Sequence, residues 1–472
     1  MSNRNHKVII IGSGISGIKA AIELHKKGID TLILEARDRI GGRAYTVESP
    51  VTKVKYDLGC CWFHCTGFNP LFKNSLNAGN VEYCFDDSSI AFISNEGYIP
   101  GSYNLGPVVD EMKLFASKFE NGESLNLHTL SNHYIFENKN VLTKQQIRYA
   151  PQLLRLLEVP NGVSWDMVSG SKSIAPYGGR DAFVKNCYET VLNNELKGYP
   201  VNEKILTNKV VSAIEKKDSK IIITTTGNEI FTSDYVIVTI PQPLLTLSKG
   251  EEGSIEFKPS LPRTITDNFP KTKSVSLNKV IFEFDQVFWP EDIEKFITIG
   301  KVDEDFSEKI IENKIDVTDL KVDIEAFDVL GAKTPETWEF PTLVANLFAI
   351  KKLPSLMFLI PSPASLYLEK YPDQRWTLLK PLIAKIAKLE ESQLPEPINT
   401  IGSSWSSDPF SRGSISGIPP DGLIVNEGLI EGFGNIRFAG EHTIYEGHGC
   451  AHGAWLSGLR EANHILDRLN TK

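Results

Sequence analysis

An α/β fold is predicted: a mainly parallel sheet, interrupted in sequence by a second region of α+β character. Three observations predict it. Gly12-Ser13-Gly14-Ile15-Ser16-Gly17 lies between a short apolar run and a helical pattern. Arg39-Ile40-Gly41-Gly42-Arg43 follows a second apolar run. Phe438-Ala439-Gly440-Glu441-His442, near the other chain end, repeats the strand-then-glycine pattern ahead of a last long helix.

In chain order, residues 7–11 form an apolar run suited to a buried parallel strand. Ile18, Ala21, Ile22 and Leu24 then recur at helical spacing as far as Gly28, a C-terminal stop. Residues 30–34 give a second strand that runs into Glu35. In this strand–helix–strand context the glycines read as a Rossmann-like dinucleotide turn. Gly12 allows the tight bend, Gly14 a close approach to a pyrophosphate, and Gly17 the packing of helix on strand. The helix N-terminus favours phosphate, and Glu35 stands where an acid accepts ribose hydroxyls.

Further on, residues 221–226 and 229–232 bracket Gly227-Asn228 as a hairpin. Residues 235–240 read as a separate buried strand stopped by Pro241. A stretch over 143–157 has an amphipathic helical pattern, and 274–284 a strand pattern. Leu277, Lys279 and Ile281 share one face of that strand, and by pattern alone Lys279 is an edge lysine blunting a sheet. Residues 303–333 are charged and aperiodic, and read as an exposed excursion. Residues 435–439 form another buried strand, and a helix runs from Ala451 to Leu469.

Composition narrows the function classes. The 472 residues are 41% hydrophobic and 23% charged, ordinary globular values. With a net charge of −9 and no basic run, nucleic acid is not an expected partner. No apolar run reaches membrane-spanning length, and the N-terminus lacks a signal pattern, so a cytoplasmic protein without membrane attachment is expected. Six cysteines in so long a chain do not make a disulfide framework, and Cys60, Cys61 and Cys65 lack partners at zinc spacing. No metal is expected.

The Gly41-Gly42-Arg43 element directly after the ribose acid, with the C-terminal Gly440-Glu441 block, resembles the flavin-dependent amine oxidase family. Cys61-Trp62-Phe63-His64, Phe85-Asp86-Asp87, Gly179-Arg180-Asp181-Ala182-Phe183 and residues 278–284 look most like its fungal polyamine oxidase branch. The resemblance implies a Rossmann-like FAD-binding domain of the amine oxidase type, made of 1–85, 200–258 and 395–472. An inserted α+β substrate domain would comprise 86–199 and 259–394. It implies FAD held around Gly12, Gly14, Ile15, Ser16, Gly17, Glu35, Ala36, Arg37, Gly42 and Arg43. Gly59, Trp62, Val210, Trp405, Gly440, Glu441, Cys450 and Ala451 complete that set. Val210 would meet the adenine through its backbone, Trp405 would pack beside the ring, and amides around Cys450 and Ala451 would face the reduced ring's negative charge. Lys279 would reach a water near flavin N5. His64, Asp87 and Asn186 would line a polyamine tunnel.

The activity so implied is oxidation of a secondary-amine C–N unit of spermine or an N-acetylated polyamine. Hydride passes to the flavin, the imine hydrolyses to an aldehyde and a shorter amine, and O2 returns hydrogen peroxide. Two departures stand out. Ile415 and His452 occupy positions where many family members have two tyrosines at the substrate nitrogen, so Ile415 supplies no π face and His452 should add a pH dependence to turnover. These changes keep open an alternative, a flavin-fold protein that binds a steroid or other small ligand with little amine turnover. A histone demethylase would carry a long helical insertion that this chain lacks, and an NAD-dependent dehydrogenase would not explain Gly41-Gly42-Arg43 or Gly440-Glu441. Ser414 stands where some monoamine oxidases have a flavin-bonded cysteine, and a serine cannot form that thioether. Acid precipitation of the purified protein should therefore release all flavin into the supernatant; colour retained in the washed pellet would contradict non-covalent FAD.

Overall fold

The computed structural model describes residues 5–87, 89–120, 124–174, 179–323 and 334–470. Strand Asn5–Ile11 is the centre of the first sheet, parallel to Thr31–Leu34 on one side and Ile230–Val238 on the other. Ile205–Leu206 extends the sheet beyond Thr31–Leu34. Alternation sends Val8 and Ile10 to one face, under helices Ile15–Lys26 and Ala451–Asn470, and Ile9 and Ile11 to the other. Gly28 takes φ +72 just beyond the first helix, as a stop glycine should.

Residues 229–232 and 235–240 do not make separate strands: Ile230–Val238 is continuous. Asp234 breaks the apolar pattern but not the strand, because Lys7 at 2.7 Å and Lys220 at 2.6 Å satisfy its carboxylate at the sheet surface. The free side of this strand is shared. Its first half pairs antiparallel with Lys220–Thr225, and its last three residues pair parallel with Ile436–Phe438. The C-terminal strand thus enters the first sheet with Ile230–Val238 between it and the N-terminal strand. The two helices that follow these strands cross closely: a Cβ on Gly458 would lie 2.2 Å from the Ser16 carbonyl oxygen.

A second sheet runs in the order Asn399–Gly402, Leu277–Glu283, Ser355–Pro361, Thr342–Asn346, Lys295–Thr298, Ile90–Ser94, Gly97–Tyr98. The expected strand over 274–284 is broken at Ser276, so that Lys273–Val275 pairs separately with Ile415–Gly417. Leu277–Glu283 is an inner strand, paired on both sides. Lys279 is therefore not an edge lysine, and its burial at 6% exposure needs another explanation. The 143–157 pattern gives helix Lys144–Leu154, capped reciprocally by Thr143 and Gln146, with a tight turn at Arg155–Leu157. Residues 303–323 are mostly exposed, as expected, but they are ordered: helix Glu304–Ile311 buries Ile310, and Leu320 is buried as well. Residues 324–333 of that stretch lie outside the described residues. Among the described residues no helix is long and apolar enough to cross a membrane.

The loop before residue 57 is tied to the second sheet by one carboxylate. Glu283, buried at a strand end, accepts from Ser49 Oγ (2.6 Å), Tyr56 OH (2.9 Å), Asn399 Nδ2 (2.6 Å) and Thr52 Oγ1. Burial opposes its charge, but the donors from Ser49, Thr52, Asn399 and Tyr56 outweigh burial and hold its pKa below the ordinary value. A lowered folded pKa gives stability that is complete above the carboxyl's ordinary range and lost as pH falls through the folded value. Glu283→Gln should cost about 3 kcal/mol in urea unfolding at neutral pH, because an amide turns a donor toward donors. It should also remove part of the acid-side loss of stability; equal stability of the two proteins at neutral pH would refute this account.

Candidate active site

Three strand ends of the first sheet converge on the glycine turn. Gly12 has φ +101, and a Cβ there would stand 2.8 Å from Thr239 Oγ1; one on Gly17 would stand 2.1 Å from the Gly12 carbonyl oxygen. These two glycines are fixed by packing. Gly14 is different, because a Cβ there meets nothing within 4 Å. Open space beside an N-terminal helix turn is what a diphosphate requires. Gly41 and Gly42, both with positive φ, fold the next loop against it: Gly41 N–H donates to Ser13 O at 2.9 Å, and a Cβ on Gly42 would lie 3.2 Å from Gly14 Cα. Ile15 and Ser16 open the helix at this point.

Glu35 follows Thr31–Leu34 and is buried. Its carboxylate accepts Ser13 N and Oγ, both at 2.7 Å, and Arg37 N at 2.9 Å. A carboxylate offers about four acceptor positions, so one remains for a ribose hydroxyl. Arg37 itself is anchored on Asp408 (2.7 Å) and Ser411 (2.9 Å). Asn208 and Lys209 donate backbone N–H groups to Arg37 O and Glu35 O, which sets Val210 beside Glu35, Ala36 and Arg37.

Arg43 and Glu441 come from opposite chain ends and form an ion pair at 2.9 Å. Arg43 Nη1 also donates to Ser414 O at 2.8 Å. Glu441 further accepts Ser416 Oγ and Gly449 N at 2.9 and 3.0 Å. Burial alone would raise its pKa; Arg43, His448, His442 and the Ser416 hydroxyl overcome it and bring it down to about 2, so Glu441 stays ionised. Gly440, at φ +142, gives its N–H to Ser457 Oγ. The Cys450 amide is not a free donor as the sequence suggested, because it is bonded to Gly447 O at 2.8 Å inside the preceding turn. The unsatisfied donors of helix Ala451–Asn470 are those of Ala451, His452 and Gly453.

Lys279 explains how the second sheet reaches this place. Its ammonium donates to Asp57 O (3.0 Å), Gly59 O and Cys61 Sγ (2.8 Å). An ammonium has three donors, and all three have protein acceptors here. A water would have to displace one of them, and the thiol is the weakest acceptor. The loop so held is fixed on its other side as well: Cys60 N–H donates to Arg43 O, Trp405 Nε1 donates to Leu58 O at 3.1 Å, and Gly59 is pressed against Arg43 O. Trp62 Nε1 is buried without a hydrogen-bond partner.

His64 ends the strand Trp62–Phe63, which pairs with Ala182–Val184. That register puts Asp181 against it, Oδ2 at 2.7 Å from Nδ1. His452, in the first turn of the C-terminal helix, feels the charges of His64 and Asp181. Its ring packs on Gly447, and burial lowers its pKa to about 4. Burial thus favours the neutral ring. Ile415 pairs with Val275, one residue before Ser416.

Two expected tunnel residues have other work. Asn186 lies near the opposite end of Ala182–Val184 from Asp181, about 16 Å along an extended chain. Its side chain accepts Glu82 N and donates to Asn80 O, so it braces a loop and is not joined to His64. Asp87 is exposed and paired with Arg180 Nε at 2.6 Å, whose guanidinium lies 3.6 Å over the Phe85 ring. Its neighbour Asp86 is paired with buried Lys295 at 2.8 Å. Sequence reasoning missed Asp57, Cys61, Asp181, Lys295 and the pairing role of Arg180. Only the strand register of 182–184 against 62–63 and 83–85 brings most of them in, and no local spacing signals that.

Comparison with known proteins agrees with this arrangement. The model of the flavin-containing amine oxidoreductases matches residues 150–466, and that of the NAD(P)-binding Rossmann-like domain matches 10–78. A corticosteroid-binding protein of Candida albicans is 31% identical, covering 99% of this chain and 97% of that protein. Polyamine oxidase 2 of Arabidopsis thaliana is 25% identical over 99% of this chain and 90% of its own length. Lysine-specific histone demethylase 1 homolog 3 of Oryza sativa is also 25% identical; this chain spans 55% of it.

The contrast between the glycines is testable. Gly14→Ala should leave the thermal unfolding of the apoprotein unchanged and weaken FAD binding about tenfold or more, whereas Gly17→Ala should destabilise the protein itself. Unchanged FAD affinity in Gly14→Ala would mean that the space beside it is not the diphosphate site.

Proposed function

From the premise that this chain belongs to the flavin-containing amine oxidoreductase family, we propose that it oxidises a secondary-amine C–N unit, with a preference for amines of low positive charge. Family membership implies FAD. The open space at Gly14, the spare acceptor of Glu35, the orphaned Trp62 Nε1 and the unsatisfied amides of Ala451, His452 and Gly453 all suit it. In this reading 1–85, 200–258 and 395–472 carry the cofactor, and 86–199 and 259–394 shape the substrate space. Ser414 spends its hydroxyl on Val275 O and Leu277 N, which favours non-covalent FAD. Bound FAD supplies the hydride acceptor and, with O2 as the final oxidant, yields hydrogen peroxide.

The protein's own groups do the rest. The amides at the start of the C-terminal helix, with the helix dipole, stabilise negative charge on the reduced ring. Arg43 and Glu441 hold the ribityl side, and Val210 the adenine. Lys279 would keep the Asp57–Cys61 loop in place for the cofactor, and Trp62 and Trp405 would shield the site from water. His64 accepts an N–H from the substrate amine, whose nitrogen must be neutral when the C–H bond breaks.

The observation that carries the substrate preference is charge compensation. Asp87, the acid expected to line a polyamine tunnel, has a cationic partner in Arg180, and its neighbour Asp86 has one in Lys295. An N-acetylated polyamine suits such a site better than spermine. The same observation, with Ile415 and the neutral His452, favours a second reading. The Candida albicans relative is named a corticosteroid-binding protein, and a space with apolar Ile415 and few uncompensated charges would suit such a ligand.

Anaerobic mixing distinguishes them. An N-acetylated polyamine should bleach the visible flavin band at least about tenfold more efficiently than spermine, a difference of about 1.4 kcal/mol. Faster bleaching by spermine would overturn the charge argument. If no amine bleaches the flavin and a corticosteroid perturbs its spectrum at micromolar concentration, the binding reading replaces the oxidase.

A further inference from the structure

We propose that Asp181 is a positioning residue that fixes which nitrogen of His64 faces the ligand, and so makes the site a receiver of N–H groups. The proposal rests on His64 as a ligand-binding group, the reading given above.

The geometry is specific. Asp181 Oδ2 lies 2.7 Å from His64 Nδ1, and Asp181 Oδ1 accepts the Cys65 N–H at 2.9 Å. Both carboxylate oxygens therefore have fixed duties. An ionised carboxylate only accepts, so in the neutral ring the proton must sit on Nδ1. Asp181 remains ionised: burial pushes its pKa up, but the His64 hydrogen bond, the His64 charge and the Cys65 N–H bring it below the ordinary value. No described residue bonds to Nε2, and the side chain is 44% exposed. Nε2 is thus presented as an acceptor. The other ionisable groups near the pair are Asp86, paired with Lys295, His452, held neutral by burial, the buried Cys450 thiol, the Cys65 thiol and Glu446. The backbone reinforces the placement. The His64 carbonyl accepts Asn69 Nδ2, and the Asp181 carbonyl accepts Asp86 N–H. The pair is held by main-chain bonds at both ends.

Asp181→Asn tests the logic, because the Cys65 N–H still claims the side-chain oxygen. The new amide then turns its NH2 to His64 Nδ1. That nitrogen must become the acceptor, the proton moves to Nε2, and the ring offers a donor to a ligand that is itself a donor.

The experiment uses the FAD-loaded full chain labelled with 15N-histidine, with the His64 signal assigned by its loss in His64→Gln. At a pH where the ring is neutral, wild type should show the Nδ1-protonated tautomer and Asp181→Asn the Nε2-protonated one. KM for the best amine should rise about tenfold, the worth of one charge-assisted hydrogen bond, with kcat changed less than about twofold. In a His64→Gln background the same substitution should leave KM unchanged.

An Nε2-protonated ring in wild type would overturn the proposal, whether or not Asp181→Asn folds. A switched tautomer with unchanged KM would overturn the ligand-facing role. If wild type turns over no amine, the amine oxidase reading fails; the tautomer result still decides the positioning role, with corticosteroid affinity read in place of KM.

Discussion

The site depends on a buried ammonium. Lys279 brings a positive charge out of water, which costs several kcal/mol unless it is well compensated. The compensation is unusual, since no carboxylate is hydrogen-bonded to it. Two carbonyls and a thiol take its protons, while the Asp57 carboxylate acts only through space. Burial raises the pKa of that carboxylate and Lys279 opposes the rise. Asp57 in turn is held by Thr46 Oγ1 at 2.6 Å and Tyr188 N at 2.9 Å. The loop from Asp57 to Cys61 is therefore clamped between the second sheet and the backbone of Arg43. Without this clamp the two sheets would share a boundary but no common site.

Charge pairing is the second organising constraint. A net charge of −9 does not mean free carboxylates here: Asp86, Asp87 and Glu441 face Lys295, Arg180 and Arg43. Asp181, set against a neutral His64 ring, keeps its negative charge. The exposed Asp87–Arg180 pair adds little stability. Its effect is on recognition, because a long-range attraction for cations is spent inside the protein. Net charge and local potential are separate quantities here, and only the second is felt by a bound ligand.

The nucleotide end was legible in sequence because its constraints are local. Gly12, Gly14 and Gly17 are read within six positions, and the strands on either side carry plain apolar runs. Glu35, Arg43 and Glu441 likewise stood out in the sequence, though not the ion pair of the last two. What stayed hidden depends on register between distant segments. Asp181 meets His64 only because Phe63 pairs with Ala182. Lys279 looked like an edge residue because one strand's pattern says nothing about its neighbours. The helix within residues 303–323 went unseen because its few buried side chains, Ile310 among them, are too few to make a period. Ile230–Val238 was split at Asp234 because a charge that finds partners at a sheet surface looks, in sequence, like a break.

The last strand and helix close the first sheet against its first strand and helix, with Gly458 seated on Ser16. The phosphate turn is synthesised at the start of translation, whereas Glu441 and the amides of Ala451, His452 and Gly453 emerge at its end. A nascent chain can order the early strands, yet it cannot complete a flavin-holding surface until its final segment has left the ribosome. Cofactor capture then follows synthesis rather than accompanying it. On the proposed reading, a chain cut short by the last helix would keep the turn for the diphosphate but lose the amides that face the ring.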